Sequence, residues 1–210
     1  MADTIRVGLI GCGNNMRGAH LPRLVRFPEV RIAALCDPAP ENIAKMVEAR
    51  PELRGVPVYD DYRRLLDKGG LDAVVISTPH TLHHRQIVDS LQCGLHVEVE
   101  KPMVCSVEEA RDVIAARDAA GKVVLVAYQR HYAGAWRYCR AQILAGKLGP
   151  IHYVQAYQCQ NWWRPGTPSA EAWRRKPEFS GGGQLNDSGS HLVDILLWAT
   201  GLEPEEVFAY

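Results

Sequence analysis

From residue 4 to about residue 126 the chain repeats one pattern, an apolar run of strand length followed by a stretch whose apolar residues recur at helical spacing. The strand-length runs cover 4–10, 30–36, 72–77, 95–99 and 122–127, and the helical patterns lie near 17–27, 39–49, 82–92 and 107–119. Strands this uniformly apolar need cover on both faces, which a parallel sheet obtains from right-handed crossover helices. The expectation is an α/β fold: a Rossmann-type doubly wound parallel sheet over residues 1–127.

After a helical stretch at 133–145 the pattern changes at Gly149-Pro150. Residues 151–160 alternate polar and apolar as on a sheet with one wet face, which predicts a long strand. A loop rich in Trp, Arg and Pro follows over 161–179, then Gly181-Gly182-Gly183, a helix over about 186–200 and the start of another strand at Val207. Residues 128–210 read as the N-terminal part of a second, α+β domain. Two strands and one helix do not bury a core of their own. This region is therefore expected to be truncated, or to complete its sheet with another subunit.

The charge balance narrows the partners. Lys plus Arg number 24, as do Asp plus Glu, and the sequence pI is about 7.1, so there is no electrostatic footprint for nucleic acid or an anionic membrane. A small-molecule substrate is the default. The apolar runs are too short to span a bilayer. Met1-Ala2-Asp3-Thr4 enters a strand at once, without the basic start, long apolar stretch and cleavage site of a secretory signal, which points to the cytoplasm. Cys12, Cys36, Cys93, Cys105, Cys139 and Cys159 show no C-x-x-C spacing and read as reduced thiols.

Gly11-Cys12-Gly13-Asn14-Asn15-Met16 follows a strand and opens a helix, the setting in which a G-x-G-x-x-G fingerprint carries meaning. The two glycines allow a tight turn and close approach of backbone to a pyrophosphate, whose charge faces the helix N-terminus. Met16 stands where a third small residue is usual, so helix and strand must pack a larger side chain. The alternative is a tight connection without a ligand. Asp37 ends the second run, where an acidic side chain hydrogen-bonds the adenosine ribose and repels a 2′-phosphate, so NAD is favoured over NADP. Its alternative use is to cap the helix beginning after Pro38.

Thr78-Pro79 closes the run at 72–77, at the sheet edge where ligands bind open α/β sheets. His80-Thr81-Leu82-His83-His84 follows with no standard metal spacing, so these histidines are expected to be polar lining and no metal is assigned. Glu100-Lys101-Pro102 closes the run at 95–99. A lysine at that edge can hydrogen-bond a substrate oxygen and stabilise charge as hydride leaves carbon, unless it is an ordinary solvated lysine. Asp187 and His191 stand four apart at a helix start, where an imidazole can act as general base beside an orienting carboxylate. The alternative makes Asp187 an N-cap and His191 a buried polar residue.

Taken together, Gly11-Cys12-Gly13 with His20, Asp37-Pro38, Thr78-Pro79 with His83, Glu100-Lys101-Pro102, Tyr128-Gln129-Arg130 and Gly181-Gly182-Gly183 leading to Asp187 and His191 resemble the glucose-fructose oxidoreductase and inositol dehydrogenase family, Gfo/Idh/MocA. The resemblance runs over nearly the whole chain. It implies a nicotinamide enzyme that transfers hydride at a hydroxyl carbon of a sugar, inositol or related polyol, homo-oligomeric when full length. It also implies Lys101, Asp187 and His191 as catalytic and substrate-binding residues, and Gly11 to Met16, Asp37, Thr78, Pro79, His83, Glu100, Lys101 and Gln129 as the cofactor site. Trp163 and Arg164, in the loop with Trp162, Trp173, Arg174 and Arg175, are candidates for a substrate wall, or else pack against a sheet. An NAD-dependent redox glycoside hydrolase and a non-catalytic nucleotide-binding regulator are the alternative functions.

Overall fold

The computed structural model describes residues 4–68, 70–159 and 173–208. They form two compact units, Met1–Ala127 with Pro168–Gly181, and Tyr128–Thr167 with Gly182–Tyr210.

In the first unit six parallel strands, β1 (Ile5–Ile10), β2 (Val30–Cys36), β3 (Val58–Tyr59), β4 (Ala73–Ile76), β5 (His96–Val99) and β6 (Val124–Val126), are ordered β3-β2-β1-β4-β5-β6. The order reverses between β1 and β4, so the crevice at their carboxyl ends is the topological switch point of a doubly wound sheet. Helices α1 (Leu21–Leu24), α2 (Pro40–Ala49), α3 (Tyr62–Asp67), α4 (His83–Gln92) and α5 (Val107–Ala120) belong to the crossovers. Because strand side chains alternate, Leu9, Leu35 and Val75 join Met16, Leu21 and Met46 in one core. Ile10, Ala34, Val74 and Ile76 join Leu65, Ile87 and Leu91 in the other. The strands are apolar throughout because both faces are covered.

The strand β3 and helix α3 were not anticipated from the sequence. A strand that pairs only Val58 with Leu35 and Tyr59 with Cys36 is too short to show a period. Helix α3 is announced instead by its cap, Asp61, whose carboxylate accepts the Arg63 N–H at 2.8 Å. Helix α5 likewise starts at Ser106, whose hydroxyl accepts the Glu109 N–H at 3.1 Å, and stops at left-handed Gly121.

Residues 173–181 end in a short helix, α7 (Pro177–Ser180), that packs on the turn His80–Leu82. The Thr81 hydroxyl donates to the Glu178 carbonyl at 2.9 Å, and a His80 ring nitrogen lies 3.0 Å from the Ser180 carbonyl oxygen. At Gly181, with φ +64°, a Cβ would run into the Cys105 side chain, so conformation and contact both favour glycine.

The second unit is built on α6 (Gly134–Leu144) and α8 (Ser190–Thr200). A cleft of about 510 Å3 opens beside them, lined chiefly by Trp136, Ile143, Leu148, Tyr153 and Leu196. The strand predicted over 151–160 is not formed: residues 151–159 pair with no strand among the described residues, and alternation alone does not make a ladder without a hydrogen-bonding neighbour. Residues 201–208, including Val207, are also outside any strand.

Leu9 is completely buried in the central strand. Leu9→Ala is expected to lower the unfolding free energy by about 2–5 kcal/mol, seen as a lower urea midpoint with an unchanged m-value.

Candidate active site

Each motif of the first unit stands at the carboxyl edge of the sheet. At Gly11 the backbone N–H donates to the Cys36 carbonyl at 2.8 Å, φ is +84°, and a Cβ would lie 2.5 Å from the Ser77 carbonyl oxygen. Glycine is required there by both conformation and contact. At Gly13 nothing lies within 4 Å of an added Cβ, so this glycine leaves the backbone open to a ligand instead of relieving a clash. Met16 is fully buried and begins a π-helical turn, Met16–His20, that runs into α1. The larger side chain is thus taken into the core beneath the turn. Asn14 and Asn15 remain exposed. Helix geometry leaves the first N–H groups without intrahelical acceptors, and the open Gly13 backbone beside them fits a dinucleotide pyrophosphate. Arg17, which the sequence reading passed over, adds a cation: its guanidinium donates to the Cys12 carbonyl at 3.0 Å and also to the Asn14 side chain. Its position directly after the fingerprint was the signal.

Asp37 is buried and heavily engaged. One oxygen accepts the Cys12 N–H at 2.8 Å, the other accepts the Ala39 N–H at 2.9 Å, and Asn42 Nδ2 lies 3.2 Å from both. A carboxylate accepts about four hydrogen bonds, so these contacts nearly fill it. Asp37 fastens the dinucleotide turn to the start of α2, whose own N-cap, Ala39, has no side-chain bond. Burial, reinforced by the Asp37 charge, pushes the Cys12 and Cys36 thiols up to about 12, so neither is a nucleophile near neutrality.

Across the switch point, His20 meets two carboxylates of the β5 strand end: Nδ1 is 3.0 Å from Glu98 and Nε2 is 2.7 Å from Glu100. Burial alone would lower the imidazole, but the hydrogen bonds and charges of Glu100 and Glu98 outweigh it and hold the ring raised to about 9. Burial would likewise raise Glu100, yet the hydrogen bond and charge of His20 carry it down to about 2. Glu100 also accepts the backbone N–H of half-buried Lys101 at 3.2 Å.

The cluster after β4 does not line a cleft as the sequence reading expected. His80 and His83 are buried. The His83 nitrogens lie 2.8 Å from the Pro102 carbonyl oxygen and 3.0 Å from that of Thr78, so the ring ties the ends of β4 and β5 together and shapes the cofactor edge from beneath. Burial pushes this imidazole down. The Thr78 hydroxyl donates to Gln86 at 2.7 Å, and Thr78 and Pro79 stay partly exposed at the edge. His84 pairs with Asp112 at 2.6 Å. Among the described residues no group of His, Cys, Asp and Glu could hold a metal, and no helix is long and apolar enough to cross a membrane.

In the second unit Asp187 lies in another π-helical turn, Leu185–Gly189, and His191 in the first turn of α8. Both are buried, and the N-cap positions of the two segments are Gln184 and Gly189. The Tyr128 ring stands edge-on to His191 with centroids 5.7 Å apart, and the Arg130 guanidinium reaches the His191 carbonyl oxygen at 3.5 Å. His131 pairs with Asp194 at 2.8 Å while stacking on Trp198, which braces α8 one turn further on. Gln129 is exposed on the turn Gln129–Tyr132. Trp162, Trp163 and Arg164 lie outside the described residues. Trp173 packs edge-on against His80 in the first unit, with the Arg174 guanidinium over its ring.

Two family profiles account for nearly all of the chain. Residues 5–128 match "Oxidoreductase family, NAD-binding Rossmann fold", and residues 136–210 match "GFO/IDH/MocA C-terminal domain". The chain belongs to the Gfo/Idh/MocA oxidoreductase family. Within it, the chain is 32% identical to the putative oxidoreductase YteT of Bacillus subtilis (strain 168), covering 96% of this chain and 48% of that protein. It is 29% identical to the rhizopine catabolism protein MocA of Rhizobium meliloti, covering 95% and 58%. Among solved structures, the WlbA dehydrogenase from Bordetella pertussis, in complex with NADH and UDP-GlcNAcA, matches with a TM-score of 0.79 at 28% identity over 95% of this chain and 56% of that one. The chain thus spans about half the length of the relatives it matches.

Gly11→Ala is expected to cost more than about 1 kcal/mol, because φ and the Ser77 contact both reject a methyl group, and to weaken NADH binding measured by fluorescence. The His20 clamp gives a pH signature. Protonated His20, raised from 6.5 to about 9, adds stability that is whole below pH 6.5 and is lost as pH rises through 9. Ionised Glu100, lowered from 4.5 to about 2, adds stability that is whole above pH 4.5 and is lost as pH falls through 2. The stability gap between the native protein and His20→Gln is therefore expected to be widest between pH 4.5 and 6.5 and to narrow on either side, as read from urea midpoints across pH.

Proposed function

We propose that the intact protein transfers a hydride between NAD and a hydroxyl carbon of a sugar, inositol or related polyol, with Lys101, Asp187 and His191 as its catalytic residues. The observation that carries this reading is the place of Lys101. It follows β5, beside the switch point, and its backbone is held by Glu100, which His20 ties to the helix of the dinucleotide turn. Family membership gives that place its chemical meaning, and the relatives named for sugar and polyol chemistry, such as D-glucoside 3-dehydrogenase of Escherichia coli (strain K12), supply the substrate class.

A bound nicotinamide supplies the hydride acceptor. The Lys101 ammonium donates a hydrogen bond to the reacting oxygen and stabilises the charge that grows there. The His191 imidazole takes the hydroxyl proton, and the Asp187 carboxylate orients substrate or ring. Gly13, Asn14 and Asn15 receive the pyrophosphate, Thr78, Pro79 and Gln129 border the nicotinamide, and Trp163 and Arg164 wall the substrate. The buried negative charge of Asp37 opposes a 2′-phosphate, which favours NAD over NADP. The same reading sets the protein in the cytoplasm and makes the intact chain a homo-oligomer.

The test is NADH formation by the full-length protein over a panel of sugars and inositols. Lys101→Met is expected to lower kcat/KM by about 10²–10³-fold, and His191→Ala by about 10²–10⁴-fold. Turnover indifferent to Lys101 overturns the assignment, and glycoside cleavage without net NADH replaces it with redox hydrolysis.

A further inference from the structure

The buried ring of His20 stands where the two halves of the cofactor edge meet. Its helix leaves the dinucleotide turn after β1, passes over β4 and reaches β5, two places along the sheet. There it finds Glu98 and Glu100, two residues apart on one face of the strand end, with the ring side chain 8% exposed and the carboxylates 28% and 19% exposed. An ionised carboxylate only accepts hydrogen bonds, so a ring bonded to carboxylates through both nitrogens donates from both and carries the positive charge. Without it, two partly buried like charges would face each other on one strand. Among the described residues the other groups facing this cluster include Asn15, from the same helix, which hydrogen-bonds Glu100 and whose amide nitrogen lies 3.4 Å from His20 Nε2, the Lys101 ammonium, which acts on Glu100 by charge, and the buried His83 ring, on which Glu100 acts by charge. Glu100 in turn holds the Lys101 backbone N–H at 3.2 Å.

We propose that His20 is the positioning residue for Lys101: by gripping Glu98 and Glu100 it fixes the strand end from which the ammonium issues and locks that end to the dinucleotide turn. The inference rests on the reading of Lys101 given above. Cofactor turn and catalytic lysine then form one rigid frame, and loss of the ring proton loosens the second half of it.

The experiment uses full-length protein with NAD bound, carrying 13C-dimethylated lysines and 15N-histidine, with the Lys101 resonance assigned by Lys101→Arg. The native His20 ring is expected to show two N–H protons through neutral pH and to lose one near pH 9. In His20→Gln the Lys101 resonance shifts, kcat falls about tenfold or more, and the alkaline loss of kcat disappears. Glu98→Gln, a half-exposed and conservative change that keeps the fold if His20→Gln does not, moves both the ring titration and the alkaline limb to lower pH. A Lys101 resonance and pH profile unchanged in both variants overturn the proposal, as does a singly protonated ring at neutral pH. If no sugar or polyol is turned over, the activity reading falls on its own, and the lysine resonance and ring titration still decide the role of His20.

Discussion

The structure depends on a contact that leaves no room for a side chain: at the end of β1 the backbone of residue 11 passes the Ser77 carbonyl so closely that a Cβ would stand 2.5 Å from its oxygen. The approach follows from the sheet itself, since β1 and β4 are neighbours and pair in register up to Ile10 and Ile76. Gly11 lets β1 turn at once into a helix in place of continuing alongside β4. That early turn brings His20 across to β5 and leaves the Gly13 backbone open. The open cofactor turn and the contacts of His20 with Glu98 and Glu100 are thus two outcomes of one tight passage.

A second constraint is electrostatic. The carboxyl edge of a parallel sheet gathers polar groups next to an apolar core, where burial penalises each one lacking a partner. Asp37 is answered by two backbone N–H groups and Asn42, and Glu98 and Glu100 by one imidazole ring, while the single N–H of neutral His83 serves one of the two carbonyls its nitrogens approach, those of Thr78 and Pro102. None of these bonds needs a ligand. The edge is therefore organised before a dinucleotide arrives, which reduces the ordering cost of binding.

The sequence disclosed position far better than contact. Strands buried on both faces declare themselves by unbroken apolar runs, and residues such as Asp37 and Lys101 were placed at the sheet edge simply by following those runs. What a polar residue touches after folding has no such period. Asp37 looked available to a ribose, yet its oxygens are taken by Cys12, Ala39 and Asn42. His83 looked like lining and is a buried tie between strand ends. His20 stood in the family pattern without a role, because its partners come 78 and 80 residues later. The alternation over 151–160 misled for the opposite reason, since a period of two shows that a segment suits a sheet without supplying the neighbouring strand.

The two π-helical turns suggest how the two units prepare their chemistry by one local device. Met16–His20 and Leu185–Gly189 each sit where a loop becomes a helix, and a buried histidine closes the first and lies two residues beyond the second. A π turn interrupts the α ladder and changes the direction of the side chains that follow, at a cost in hydrogen-bond geometry that persists where the surroundings offset it. In the first unit the offset is visible as the bonds His20 makes to Glu98 and Glu100. In the second it comes from packing, with Tyr128 edge-on to His191 and His131 wedged between Asp194 and Trp198. The same device thus sets one buried ring against two carboxylates and another against an aromatic face.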